Sequence, residues 1–135
     1  MKKFILKGKI INGGCVQGLV NIIKSPADFV NFKHEQILVV PEFKEELMPL
    51  IRKSKAVIIE AALPDEILKK VCQEINIPCA AAVKKSAEIL KDGFAIQVDC
   101  TNPRFAKIDL LNQPHFRSYK KINLIKKIFP KRGTG

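Results

Sequence analysis

Two short apolar runs limit what this chain can become. Val57-Ile58-Ile59 and the run from Cys79 to Val83 show no polar alternation, which is the pattern of strands covered on both faces. The clearest periodic segment lies between them. Ile67, Leu68, Val71, Cys72 and Ile75 form one stripe of a 3.6-residue period, and Lys69, Lys70, Gln73 and Glu74 take the other side. Pro64, Asp65 and Glu66 suit a first helical turn, where no backbone N–H is lost and negative charge meets the positive end of the dipole. Asn76 tolerates a left-handed cap, and Pro78 cannot continue a helix. A helical crossover makes its flanking strands parallel. The spacing therefore predicts Val57–Ile59 and Cys79–Val83 as parallel neighbours, joined by a helix over Asp65–Ile75 through a right-handed connection.

The remaining segments read more weakly. Phe4–Ile11 and Gly18–Lys24 read as strands around the turn signal Asn12-Gly13-Gly14, forming a β-hairpin or a longer β-turn-β unit. Ser25-Pro26-Ala27-Asp28 starts a short helix. Gln36–Val40 is a strand closed by Pro41. Glu42–Lys53 is a helix that Pro49 either bends or marks as a false start. A short helix precedes the turn at Asp92-Gly93, and Phe94–Val98 and Arg104–Leu110 close the chain as strands. This order favours a mixed sheet with helices and a smaller β layer.

With 135 residues, 47% of them hydrophobic, the chain can bury one domain core. No window approaches the roughly 18 consecutive apolar residues of a membrane span, and Lys7 and Lys9 interrupt the apolar start that a signal peptide needs. A cytoplasmic location is the expectation. The net charge of +11 is uneven. Arg117, Lys120, Lys121, Lys126, Lys127, Lys131 and Arg132 supply seven charges after Asn112, with no acid, leaving +4 for the rest. Residues 113–135 therefore read as a basic amphipathic tail, with Ile122, Ile125 and Phe129 on one helical face. Two readings stay open: the tail docks that face on the domain, or it binds an anionic surface, nucleic acid or membrane.

Few residues suggest chemistry. Cys15, Cys72, Cys79 and Cys100 contain no C-x-x-C pair, and only His34 and His115 could assist them, so no metal or cofactor is expected and the thiols read as small hydrophobes. His34 sits in a polar loop and His115 at the border of the tail. Asp65 and Glu66 could form an acid–base pair, but they serve equally as first-turn carboxylates. Gly13-Gly14-x-x-x-Gly18 lies between strands with no helix after it, the wrong context for a nucleotide-binding loop, and reads as a turn. Glu60 ends a buried strand, where ligands of α/β sheets often bind.

Several short motifs in order carry a family resemblance. They are Gly13-Gly14-Cys15-Val16-Gln17-Gly18, Ile37-Leu38-Val39-Val40-Pro41, Ala56-Val57-Ile58-Ile59-Glu60, Glu74-Ile75-Asn76-Ile77-Pro78, and Ala87-Glu88-Ile89-Leu90-Lys91-Asp92-Gly93 leading into Ile96-Gln97-Val98-Asp99. From Leu6 to Ile108 the chain resembles the swivelling phosphohistidine domain of phosphoenolpyruvate-utilising enzymes, such as pyruvate phosphate dikinase and phosphoenolpyruvate synthase. The resemblance implies an α/β fold for residues 1–112, a β/β/α three-layer swivelling domain with a mixed, partly parallel sheet. It also implies a Gly-Gly-x-Thr-Ser-His run at the start of the central helix, whose histidine receives a phosphoryl group. Here Ala62 and Leu63 stand at the glycines and Ile67 at the histidine, after Asp65 and Glu66, and that helix contains no histidine. Two carboxylates there repel a phosphoryl group instead of attracting it.

The expectation is thus a stand-alone, non-catalytic swivelling module that binds or regulates, and it leans away from an enzyme. One alternative is an accessory domain or subunit of a phosphoenolpyruvate/pyruvate phosphotransferase system, partnered by a separate kinase-like or phosphoenolpyruvate-binding protein. The other is an anionic-surface binder acting through the tail.

Overall fold

The structure, a computed structural model, describes residues 2–61 and 66–111. Asp65 and the whole basic tail lie outside the described residues. Seven strands alternate with short helices: β1 (Lys2–Asn12), β2 (Cys15–Ile22), a 3-10 helix (Pro26–Asn31), β3 (Ile37–Val40), a 3-10 turn (Glu45–Leu47) running into α1 (Met48–Lys53), β4 (Ala56–Ile59), α2 (Glu66–Ile75), β5 (Cys79–Ala81), α3 (Ser86–Ile89), β6 (Ala95–Asp99) and β7 (Ala106–Leu111). The strands close into a barrel in the order β1-β5-β4-β3-β2-β6-β7.

The expected parallel pairing holds. Val57 pairs with Cys79 and Ile58 with Ala80 in parallel, and α2 lies between the two strands in sequence. β3 pairs in parallel with both β2 and β4, so β2 to β5 form a parallel half. β6 and β7 are antiparallel to their neighbours, which makes the sheet mixed.

Of the two expectations for the opening, the hairpin does not form: β1 and β2 are the longer β-turn-β unit, two strands that do not pair. β1 pairs with β7 over Lys2–Gly8 and with β5 over Lys9–Asn12, while β2 pairs with β6 over Cys15–Leu19 and with β3 over Val20–Ile22. Each long strand passes from one half of the barrel to the other, so the two stand at opposite seams. Register shifts in β1 after Phe4 and after Ile10 supply the bulges that bend it. Gly14, at φ +137°, makes the turn close to Pro78, 3.3 Å from where a Cβ would lie. Gly18 belongs to β2 and not to that turn, and a Cβ on it would stand 3.2 Å from Ile37.

Alternation along the parallel strands builds two cores. Ile37, Val39, Ala56, Ile58 and Ala80 point into the barrel with Leu6, Ile96, Val98 and Ile108. Their neighbours Leu38, Val40, Val57, Ile59 and Cys79 point outward and are covered by Leu50 and Ile51 of α1 and Leu68, Val71 and Cys72 of α2. The absence of polar alternation in these runs follows directly, because both faces are buried. Each fully covered aliphatic side chain contributes roughly 1.5–3 kcal/mol.

Several element ends moved. Pro49 stands in the first turn of α1, which starts there instead of bending. The segment after Ser25 forms a 3-10 helix whose Asp28 carboxylate accepts from the Lys24 and Ser25 N–H groups. β5 stops at Ala81, because Ala82 adopts φ +55°. α2 ends as expected: Asn76 is left-handed at φ +58°, and the Ile77 N–H reaches the Cys72 carbonyl. Asn12, on β1, adds a clamp that no local pattern announces. Its Nδ2 donates to the carbonyls of Cys72 (3.2 Å) and Ile77 (2.9 Å).

Candidate functional site

The C-terminal ends of the parallel strands converge on one rim. The Glu60 N–H bonds to the Val40 carbonyl and the Ala61 N–H to the Pro41 carbonyl, and the Ala82 N–H closes back onto the Ala61 carbonyl at 3.0 Å. α2 begins beside this rim with Glu66, and Glu60 stands half-buried at the end of β4. A helix N-terminus at the carboxyl end of a parallel sheet is where α/β folds bind anions.

The residues on this rim do not suit that use. Glu66 is exposed and brings a carboxylate to the first turn. Ile67 was expected on the buried stripe, yet it is 47% exposed, because α2 turns only Leu68, Val71 and Cys72 fully onto the sheet. An exposed apolar side chain therefore occupies the position to which the family resemblance assigns its histidine, and it offers neither nucleophile nor base.

His34 cannot substitute for it. It lies in the exposed loop before β3, whose neighbouring Glu35 N–H bonds to the Lys53 carbonyl at the end of α1. That loop is at the amino-terminal end of the parallel strands, opposite the rim. His115 lies outside the described residues. Beside the rim, a cleft of about 70 Å³ is lined by Phe29, Pro41, Glu42, Lys44 and Leu47 among others. It falls well short of the ~300–1,000 Å³ of a small-molecule site.

Three of the four cysteines pack as the expected small hydrophobes, and Cys15 does not, because its side chain on β2 faces outward. Cys72, Cys79 and Cys100 are buried and Cys15 is exposed, all as free thiols. Cys79 and Cys72 share a hydrogen bond. That bond and burial hold the Cys79 thiol well above its ordinary range, so Cys79 keeps the proton. Burial, reinforced by the Asp99 carboxylate, pushes Cys100 up to about 12. Thiols so disfavoured as thiolates are poor nucleophiles and poor metal ligands. Among the described residues no cluster of His, Cys, Asp and Glu could hold a metal ion, and no helix is long and apolar enough to cross a membrane.

The architecture is thus a mixed α/β barrel with helices on its parallel half and a rim at the α2 N-terminus. Residues 32–102 match the model of the PEP-utilising enzyme mobile domain, and the chain belongs to that family. The phosphoenolpyruvate synthase of Pyrococcus furiosus is 27% identical over 97 residues, which are 72% of this chain and 12% of the synthase; the chain thus spans about an eighth of that relative's length. Among solved structures, Thermococcus kodakaraensis aconitase X in its holo form superposes with a TM-score of 0.58 at 22% identity, over 83% of this chain and 99% of that one. A UPF0107 protein superposes at 0.57 and 16% identity, over 83% and 100%. Enzyme I superposes at 0.50 and 10% identity, over 71% of this chain and 39% of that one.

Proposed function

We propose that this chain is a mobile-domain module that works by docking to a partner and does not itself carry a phosphoryl group on histidine. The observation that carries this reading is the start of α2. Glu66 and the half-exposed Ile67 occupy the turn where a carrier needs a nucleophile and free N–H groups. A regulatory or binding role fits a domain that keeps the carrier's fold without its chemistry. The two cores, one inside the barrel and one under the helices, support the β/β/α three-layer description of the swivelling domain. The near-complete coverage of two solved chains supports a domain of this size acting as a chain of its own.

The test is phosphorylation. The full-length protein is incubated with phosphoenolpyruvate, and separately with ATP, Mg²⁺ and a phosphoenolpyruvate synthase kinase domain, then analysed by mass spectrometry under non-acidic conditions. No phosphohistidine is expected. An acid-labile phosphate on His34 or His115 overturns the reading.

The likeness to the Pyrococcus furiosus synthase over 72% of the chain supports a second reading, in which the module serves a phosphoenolpyruvate or pyruvate phosphotransferase as an accessory domain or subunit. Its partner is then a separate kinase-like or phosphoenolpyruvate-binding protein, met in the cytoplasm. Co-purification with such a protein, lost when Ile67 is replaced by Asp, distinguishes this reading from docking elsewhere on the surface.

A further inference from the structure

We infer that the seam where β1 leaves β7 for β5 is a binding face for single-stranded nucleic acid. The seam is an open groove of about 810 Å³ whose lining includes Phe4, Lys7, Lys9, Lys84, Arg104 and Phe105, and no acid. Phe4, Lys7 and Lys9 stand outward on β1, while Lys84 and Arg104 reach the groove from the segments beside β5 and β7.

The charges on this face are arranged at a cost. Lys7 lies directly opposite Lys107 in the β1–β7 register, and like charges so placed destabilise an antiparallel pair. No carboxylate lines the groove itself. Asp99 faces Lys107 from β6, on the side away from Lys7, and its Oδ1 accepts from both the N–H and the hydroxyl of Thr101. Both lysines also rest against rings, Lys7 Nζ 5.5 Å from the Phe105 centroid and Lys107 Nζ 6.0 Å from that of Phe4. Those rings are 6.4 Å apart, tilted by 47°, and Phe4 is 50% exposed. A half-exposed Phe4 and a partly exposed Phe105, set among cations in a groove with no acid in its lining, favour an anion that also carries flat apolar groups.

Single-stranded nucleic acid meets both demands, since its bases stack on aromatic side chains while its phosphates follow a cationic groove. A double helix would use the lysines and leave the rings idle. A membrane surface needs a broader apolar face than one half-exposed phenylalanine. A small ligand needs a closed pocket, and this groove is open. The inference does not depend on the docking role proposed above, and none of its residues belongs to the tail.

The probe is a labelled single-stranded RNA of roughly 12 nucleotides, within the site sizes of such grooves. Binding to the full-length protein is followed by fluorescence polarisation across a salt series, beside a duplex of the same length, a mononucleotide competitor and phosphatidylserine–phosphatidylcholine vesicles. Single-strand binding should exceed duplex and vesicle binding. Phe4→Ala should weaken it roughly tenfold, the value of one stacked base, without changing the salt slope. Lys7→Gln and Lys107→Gln should each reduce the salt slope by about 0.7. Phe4 and Lys7 are exposed, so their variants should fold, as circular dichroism can verify, even where Phe105→Ala does not. The inference is overturned by no single-strand binding, or by equal binding to duplex or vesicles. It is overturned equally by full competition from the mononucleotide, or by binding that Phe4→Ala and Lys7→Gln leave intact and neutralising the tail lysines abolishes.

Discussion

Gly8 on β1 lies against Val83: a Cβ built on Gly8 would collide with Val83 Cγ2 and stand 2.6 Å from the Ala81 carbonyl oxygen. This close approach lets β1 pass from β7 to β5 and close the barrel. Gly8→Ala must push backbone apart as well as side chains. It is expected to cost at least the ~1–3 kcal/mol of an overpacked core, read as a lower midpoint in urea denaturation. Wild-type stability in this variant would mean that the seam is looser than the contact implies.

Asn12 holds the end of α2 from the strand next to β5 through its two Nδ2 bonds. Asn12→Ala should cost about 1–2 kcal/mol, because two carbonyls lose a donor in a part-buried site. Asn12→Asp should cost more, since it points a carboxylate at the same carbonyls. If denaturation ranks Asp as milder than Ala, the clamp is not what holds these elements together.

Alkaline pH should expose the buried thiols. Cys100 is raised from an ordinary 9.0 to about 12 in the folded state. Above pH 9 the unfolded thiol gives up its proton while the folded one keeps it, so the unfolded state binds fewer protons and stability falls as pH rises. The contribution is fully present below pH 9 and is lost as pH approaches about 12. Cys79, raised for its own reasons, acts in the same direction. Wild type should therefore lose more stability over this range than Cys100→Ala, measured by denaturant midpoints. Parallel pH profiles would refute the assignment.

The basic tail carries seven of the positive charges and lies outside the described residues. Truncation after Asn112 is expected to lower the melting temperature or the solubility, as it would if the apolar face of Ile122, Ile125 and Phe129 docks on the domain. An unchanged melting temperature together with lost binding to anionic vesicles would assign the tail to a surface instead.

The sequence by itself determined the parallel pair at the centre, β4 with β5. Val57–Ile59 and Cys79–Ala81 lack alternation because two cores bury both faces, and the stripe of Leu68, Val71 and Cys72 is a local periodicity readable without a partner. The end of α2 at Asn76 and the missing histidine at Ile67 were legible for the same reason, being properties of consecutive residues. Tertiary structure alone decided what depends on distant pairing. A sequence cannot show that Asn12-Gly13-Gly14 separates strands at opposite seams instead of folding a hairpin, since turn signals look alike in both. It cannot place Lys7 opposite Lys107, one hundred residues apart, because register comes from how β1 bulges, bends and closes the barrel. The stripe over-predicted Ile67 because periodicity gives a helix face but not its width. How far that face is covered was set by where α2 rests on the sheet, which left Ile67 exposed on the rim.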